Sequence, residues 1–246
     1  LGDASLAQLQ RLTECPNLTH LELAYFGAAT DTGWEQLAGL KNLEFFSPRG
    51  ARFPGHCFAK FKGWTKLKNI NFHGNSLDDE GFGYVCENFP NLEFIKLWHS
   101  QLITDASAEH LKKLTNLKGV EISCSKATAA LVKHLGQLPM EYAALEYGVN
   151  TPASDAIATV KTIPTLRRLK LGGISLTDSD LTALAAATQL EELTIGLLDL
   201  PDERLPQLQA FSFLKSLRLV PAKKPFSPET QAKIQALLPK TKLEFN

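Results

Sequence analysis

The chain has 246 residues, 44% of them hydrophobic and 21% charged, with 26 Lys and Arg set against 26 Asp and Glu. That composition suits a globular chain with a sizeable core, and its zero net charge excludes a protein that works by blanket attraction to nucleic acid or to an anionic membrane. No apolar run approaches the roughly eighteen residues that span a bilayer and no signal peptide opens the chain, while four cysteines without CxxC spacing (Cys15, Cys57, Cys86, Cys124) read as reduced thiols and point to a cytoplasmic setting.

The first element, LGDASLAQLQRL, is the helical half of a repeating unit, with Asp3 in the capping slot. CPNLTHLEL (15–23) then sets a pattern, apolar-x-x-L-x-x-apolar-x-apolar, that returns in LKNLEFFSP (40–48), WTKLKNINF (64–72), FPNLEFIKL (89–97) and LTNLKGVEI (114–122). LPMEYAALEY (138–147) fits with Met140, Ala143 and Leu145 inward, and IPTLRRLKL (163–171), TQLEELTI (188–195), FLKSLRL (213–219) and a degenerate LPKTKLEF (238–245) complete about ten units at steps of 23–26 residues. Strict alternation over each of these stretches predicts a strand. Between the strands, ATDTGWEQLAGL, LDDEGFGYVCENF, ITDASAEHLKKL, LTDSDLTALAAAT and LPDERLPQLQAF carry apolar residues every three to four positions, the period of a short amphipathic helix. Thr30-Asp31, Asp78-Asp79, Thr104-Asp105, Ser154-Asp155, Thr177-Asp178 and Ser227 stand at the helix starts and read as caps, the acid also favoured by the positive helix end.

The units resemble leucine-rich repeats, and their ITDxxL-like helix starts resemble the ribonuclease-inhibitor-like and cysteine-containing, F-box-associated subclasses. The resemblance implies one α/β domain over 1–246: a right-handed horseshoe solenoid, with a parallel sheet on the concave face and short helices on the convex one. Sizes require that curvature, because parallel strands stack at about 4.8 Å whereas helices with side chains are roughly 10 Å across. The Asn or Cys that usually follows the strand is present only as Asn75; Phe26, Ala51, Ser100, Ser125, Gly148, Ile174, Leu198 and Ala222 stand in its place. Turn geometry must therefore come from backbone bonds or packing.

The period sorts the outward strand positions into lanes that run across the sheet. The third lane begins His20, Phe45, Asn69, Phe94, Gly119, Tyr142, Arg168, Glu192; the fifth begins Glu22, Ser47, Asn71, Lys96, Glu121. The seventh contains Arg49, His73, Trp98, Ser123 and Glu146; the eighth contains Tyr25, Gly50, Gly74, His99, Cys124 and Tyr147. Charges are mixed in sign, six Lys or Arg against five Glu over these lanes, with Lys96 beside Glu121 and Arg168 beside Glu192 able to pair across strands, which is no phosphate-tracking stripe. Aromatic and histidine side chains gather in the first six units, and large amphipathic side chains on an open sheet are the material of protein-binding hot spots. The candidate partner-binding residues are Tyr25, Phe45, Arg49, His73, Phe94, Lys96, Trp98, His99, Glu121, Tyr142, Glu146 and Tyr147.

These features predict a non-catalytic protein-interaction scaffold without metal or cofactor, binding a protein partner rather than nucleic acid and not inserting into a membrane. By the subclass resemblance alone, the scaffold is alternatively a substrate-recognition subunit of a ubiquitin-ligase assembly. A third reading is a thiol- or zinc-dependent enzyme at Cys124 and His99, which neighbour each other in the eighth lane. That site needs an orienting group and an oxyanion hole, or further metal ligands, and only His73 is close; a surface thiol beside an exposed His is the simpler expectation. LDDEGFG lacks calcium-loop spacing, NLT at 17–19 sits at the start of a strand, and PAKKPFSP (221–228) reads as a surface turn before the last helix. The chain starts on Leu1 in mid-unit and stops one residue after Phe245, so either further segments or end-to-end self-association is expected to cover its terminal cores.

Overall fold

In the computed structural model, which describes residues 1–124, 126–147, 153–172, 176–198, 200–222 and 224–245, every alternating stretch is a strand. Two compact units divide the chain, Leu1–Pro139 and Met140–Asn246. The first holds β1 (His20–Ala24), β2 (Phe45–Arg49), β3 (Asn69–Asn71), β4 (Phe94–Trp98) and β5 (Gly119–Cys124). The second holds β6 (Tyr142–Tyr147), β7 (Arg168–Gly172), β8 (Glu192–Leu198), β9 (Ser216–Pro221) and β10 (Lys242–Phe245). Within each unit the strands are parallel and pair in chain order.

Registers follow the repeat. His20, Phe45, Asn69, Phe94 and Gly119 lie opposite one another in the first unit, and Tyr142, Arg168, Glu192, Ser216 and Lys242 in the second. A one-residue slip would turn the leucines to solvent, which is why the pattern sets the register so firmly. One ladder is cut short: β2 and β3 share only two paired positions, against five between β1 and β2. Pro48 explains this, since Gly50 N–H bonds His73 O toward β3 and Pro48, two residues earlier on the same side, has no N–H to give.

The helical halves are shorter than their periodicity suggests. The first unit has α1 (Asp3–Leu9), α2 (Asp31–Glu35), α3 (Asp79–Asn88) and α4 (Ala108–Leu111); α1 runs on into a 3-10 turn at Gln10–Glu14, α4 is preceded by one at Asp105–Ser107, and His56–Lys60 is entirely 3-10. In the second, α5 (Ala153–Lys161), α6 (Asp178–Ala185) and α7 (Pro228–Leu237) are α-helical, whereas Asp202–Phe211 is 3-10 throughout. Pro206 sits inside that last segment; it removes a donor and its ring clashes with the carbonyl four residues back, so an α-helix does not form there.

Capping is divided differently from the sequence expectation. Thr104 and Thr128 accept from the amides of Ala106 and Ala130, Asp78 from Gly81, Ser227 from Thr230, and Thr177 with Asp180 forms a reciprocal capping box. Thr30 accepts no such bond, and Asp3, Asp31, Asp79 and Asp105 reach the following repeat instead of capping their own helices. Asp3 takes both the N–H and the hydroxyl of Thr30 at 2.7 Å each, Asp31 takes Cys57 N–H at 2.9 Å, and Asp105 takes both donors of Thr128 at 2.8 Å. Asp79 takes Thr104 N–H at 2.9 Å, its hydroxyl at 2.6 Å and the Ser107 hydroxyl at 2.5 Å. These carboxylates therefore tie each repeat to the next. A second ladder runs at the strand starts, where Asn42 donates to Pro16 O, Asn91 to Thr65 O and Asn116 to Asn91 Oδ1.

The core of the first unit is aromatic. Trp34, Phe46, Phe53, Phe58, Phe61, Trp64, Phe72 and Phe89 are buried and touch ring to ring. In the second unit leucine, isoleucine, valine and alanine fill the equivalent positions around Phe211.

Candidate functional site

The sheet face away from the first unit's core carries nine of the twelve candidate residues. On β1 and β2, His20 stacks on Phe45 with ring centroids 5.8 Å apart at 19°, and Arg49 Nε meets Glu22 Oε1 at 2.7 Å. The Arg49 guanidinium also lies 5.9 Å from the Tyr25 ring, and Tyr25 is 75% exposed. On β4 and β5, Lys96 Nζ meets Glu121 Oε2 at 2.6 Å, as the lanes predict, and sits 5.8 Å from the Trp98 ring. Both partners of that pair are about three-quarters buried, so it is better shielded from solvent than the Arg49–Glu22 pair, whose side chains are about half exposed.

Histidines complete the face. His99 packs edge-on against both His73, at 5.3 Å and 81°, and Trp98, at 6.0 Å and 70°. Burial, followed by the nearby charges of His99, Lys96 and Arg49, holds the His73 imidazole below its usual range, against a smaller opposite pull from Glu121. Phe94 lies half-buried between Asn69 and Gly119.

At the strand ends a left-handed residue turns the chain in four successive repeats: Tyr25 (φ 63), Gly50 (φ 67), Gly74 (φ 71) and His99 (φ 58). Their turns are fixed by backbone bonds, Tyr25 N–H to Arg49 O, Gly50 N–H to His73 O and Gly74 N–H to Trp98 O, while Asn75 Oδ1 accepts from Ala51 N–H. Ser125, Gly148 and Ile174, which share the Asn75 position, lie outside the described residues. This conformation suits glycine but costs an L-residue about 1–2 kcal/mol, and glycine itself gives back about 0.5–1 kcal/mol in chain entropy. Tyr25→Gly is therefore expected to leave folding stability unchanged or raise it by up to about 1 kcal/mol, read by urea unfolding. Tyr25→Ala keeps the strain and should show no gain.

In the fifth repeat the turn differs, and so does Cys124. It continues β5, is only 1% exposed, and its Sγ lies 3.6 Å from Leu97 O inside the unit. Burial, then the charge of Asp79, pushes its thiol up to about 12. The expectation of a surface thiol beside His99 is thus corrected: a strand one residue longer carries Cys124 to the inner side, and the thiolate a nucleophile needs is suppressed. Cys57 and Cys86 are buried too, their thiols raised chiefly by burial, whereas Cys15, expected in an apolar slot, is exposed. Among the described residues no group of three or more His, Cys, Asp or Glu is placed to hold a metal ion.

The remaining candidates belong to the second unit. Tyr142 on β6 carries the Arg168 guanidinium over its ring at 5.2 Å, so Arg168 turns to the aromatic and no ion pair with Glu192 forms. Glu146 lies opposite Gly172 on β7. The Tyr147 side chain lies outside the described residues. Several outward positions are also covered: Ser47 and Ala144 are fully buried, each a small side chain with larger neighbours before and after it on its own strand.

Parallel strands in chain order, one per period of 23–26 residues and all but the last followed by a helix or 3-10 turn, make this an α/β leucine-rich-repeat fold. Solved leucine-rich-repeat structures match it over most of its length. Internalin C2 of Listeria monocytogenes superposes with a TM-score of 0.59 at 17% identity, covering 87% of this chain and 92% of that one. The internalin inlF of the same organism gives 0.55 at 18% identity, covering 96% and 69%. TLR13 in its complex with ssRNA13 gives 0.51 at 18% identity, covering 93% and 39%. No family model and no curated protein matches the sequence. Among the described residues no helix is long and apolar enough to cross a membrane.

Proposed function

We infer that the chain is a non-catalytic binding scaffold, and that the open sheet face of the first unit takes a polypeptide partner through uncharged apolar side chains. The observation that supports this reading is the pairing of charges around the aromatic residues. Arg49 and Lys96 are each met by a glutamate, so the face presents Tyr25, Phe45, Phe94, Trp98 and the imidazoles of His20, His73 and His99 framed by internally balanced charge. Large side chains with a polar edge recover binding energy on desolvation, whereas ion pairs already satisfied within the protein contribute orientation. Such balance suits a phosphate backbone poorly, since tracking one requires unpaired cations. Tyr142 and Glu146 are proposed as contacts of the second unit in their own right.

Peptides selected from a random display library on the wild-type protein, and counter-selected on Trp98→Ala, test the reading. Wild type should enrich peptides rich in aromatic and aliphatic residues, and Trp98→Ala should weaken them about 30-fold or more, as for a central aromatic anchor. The thermal midpoint should move by no more than about 2 °C, because Trp98 stands on the open face. If Trp98→Ala instead unfolds the protein, or if no peptide depends on Trp98, the face is a packing surface.

A further inference from the structure

The six histidines fall into different settings. His56 Nε2 lies 3.0 Å from Asp78 and His134 Nε2 2.9 Å from Glu109, so each has a carboxylate beside it, and the charge of His110 is felt by Asp79. His20 shares a hydrogen with Thr19 Oγ1 at 2.8 Å. His73 and His99 differ from all of these in meeting each other ring to ring. The charged groups around His73 come from both neighbouring strands and the one beyond: Arg49 from β2, Lys96 and His99 from β4 and its end, and Glu121 from β5. Arg49 is already bound to Glu22 of β1, and Lys96 to Glu121. Among the described residues that act on His73 the one carboxylate, Glu121, is thus already paired with Lys96.

We propose that the His73–His99 pair is a proton-operated release element of the binding face: neutral imidazoles complete an uncharged surface around Trp98, and mild acid makes that surface cationic and expels an apolar partner. This rests on the binding reading above and adds its regulation. Edge-to-face imidazoles at this separation cannot both be protonated without placing like charges side by side, so their protons arrive in two steps that belong to the pair. Positive charge on this pair adds to that of Lys96 beside the Trp98 ring, where an apolar contact would have to desolvate it. Below the ordinary histidine range the face therefore passes from balanced to net positive. His99 itself stands at a positive φ, with its ring against both His73 and Trp98.

Two measurements test this. On the protein alone, NMR titration of the imidazole C–H signals between about pH 5 and 8 should show the His73 midpoint rising in His99→Gln, because a neighbouring cation has been removed. On the complex, the Trp98-dependent display peptides should bind about tenfold or more weakly at about pH 5.5 than at about pH 7.5, and His73→Gln/His99→Gln should reduce that ratio to within about twofold. A His73 midpoint indifferent to His99→Gln overturns the proposal. So does equal peptide binding at both pH values, which would leave the binding reading intact. If no Trp98-dependent peptide emerges at about pH 7.5, the binding reading itself falls, and the release element with it.

Discussion

Phe58→Ala is expected to remove about 3–5 kcal/mol of folding stability, lowering the thermal midpoint by roughly 6–20 °C for a chain of this size. Phe58 is fully buried in the His56–Lys60 turn, with its ring 5.0–5.7 Å from those of Phe53, Phe61, Phe72 and Phe89. The neighbours come from separate stretches of chain: Phe53 precedes the turn, Phe61 closes it, Phe72 follows β3 and Phe89 follows α3. Truncation opens a cavity that no single one of them fills, because three of the four are themselves held by another ring, Phe53 by Trp34 and Phe61 and Phe89 by Trp64. The same turn is also pinned through its backbone, Phe58 O accepting from Asn88 Nδ2 at 2.8 Å, so a collapse would drag on α3 as well. Phe94→Ala provides the comparison: half-buried on the open face, it should cost about 1 kcal/mol or less. Equilibrium urea unfolding of the two variants checks the ranking, and equal losses would mean that the open-face aromatics are core residues.

The comparison also marks what was legible in the sequence. Leu92, Ile95 and Leu97 alternate with Phe94, Lys96 and Trp98, and the period of 23–26 residues aligns each of them with its neighbour in the next strand; the registers and the Lys96–Glu121 pair follow from that alone. Cys124 was not legible. Whether the eighth position turns out or stays in the strand depends on the backbone at that residue, and Cys124 lacks the left-handed turn that lifts His99 outward one repeat earlier. Between β2 and β3 the sequence shows no helical period, and the structure places a 3-10 turn there around the buried Cys57 and Phe58. The carboxylate ladder was hidden for a different reason. An acid beside a helix start has the same sequence signature whether it caps its own helix or reaches a threonine about 25 residues on, and only the distance between repeats decides.

Asp79→Ala tests that ladder and is expected to cost about 2–4 kcal/mol. The carboxylate accepts three hydrogen bonds from the following repeat, two from Thr104 and one from the fully buried Ser107, and removing it strands donors that water does not reach freely. Asp79→Asn should lose less, since its carbonyl oxygen still accepts on one side while its NH2 group opposes a hydroxyl donor on the other. The ionisation of Asp79 fixes the sign of a pH effect. Burial alone would raise its pKa from 3.8, but the bonds from Ser107 and Thr104 outweigh burial and hold it below that value. A carboxylate depressed in the folded state gives stability that is present in full above its unfolded value and is lost as pH falls through the folded one. The stability gap between wild type and Asp79→Asn should therefore be constant from about pH 8 to 5 and shrink as the pH drops below about 4. Urea unfolding of both proteins across that range reads the gap directly, and the other carboxylates, common to both, cancel in the difference. A gap that stays constant below about pH 4 would mean that Asp79 acts by shape and not by charge, and the link between these repeats would then owe more to the threonine caps than to the acid that joins them.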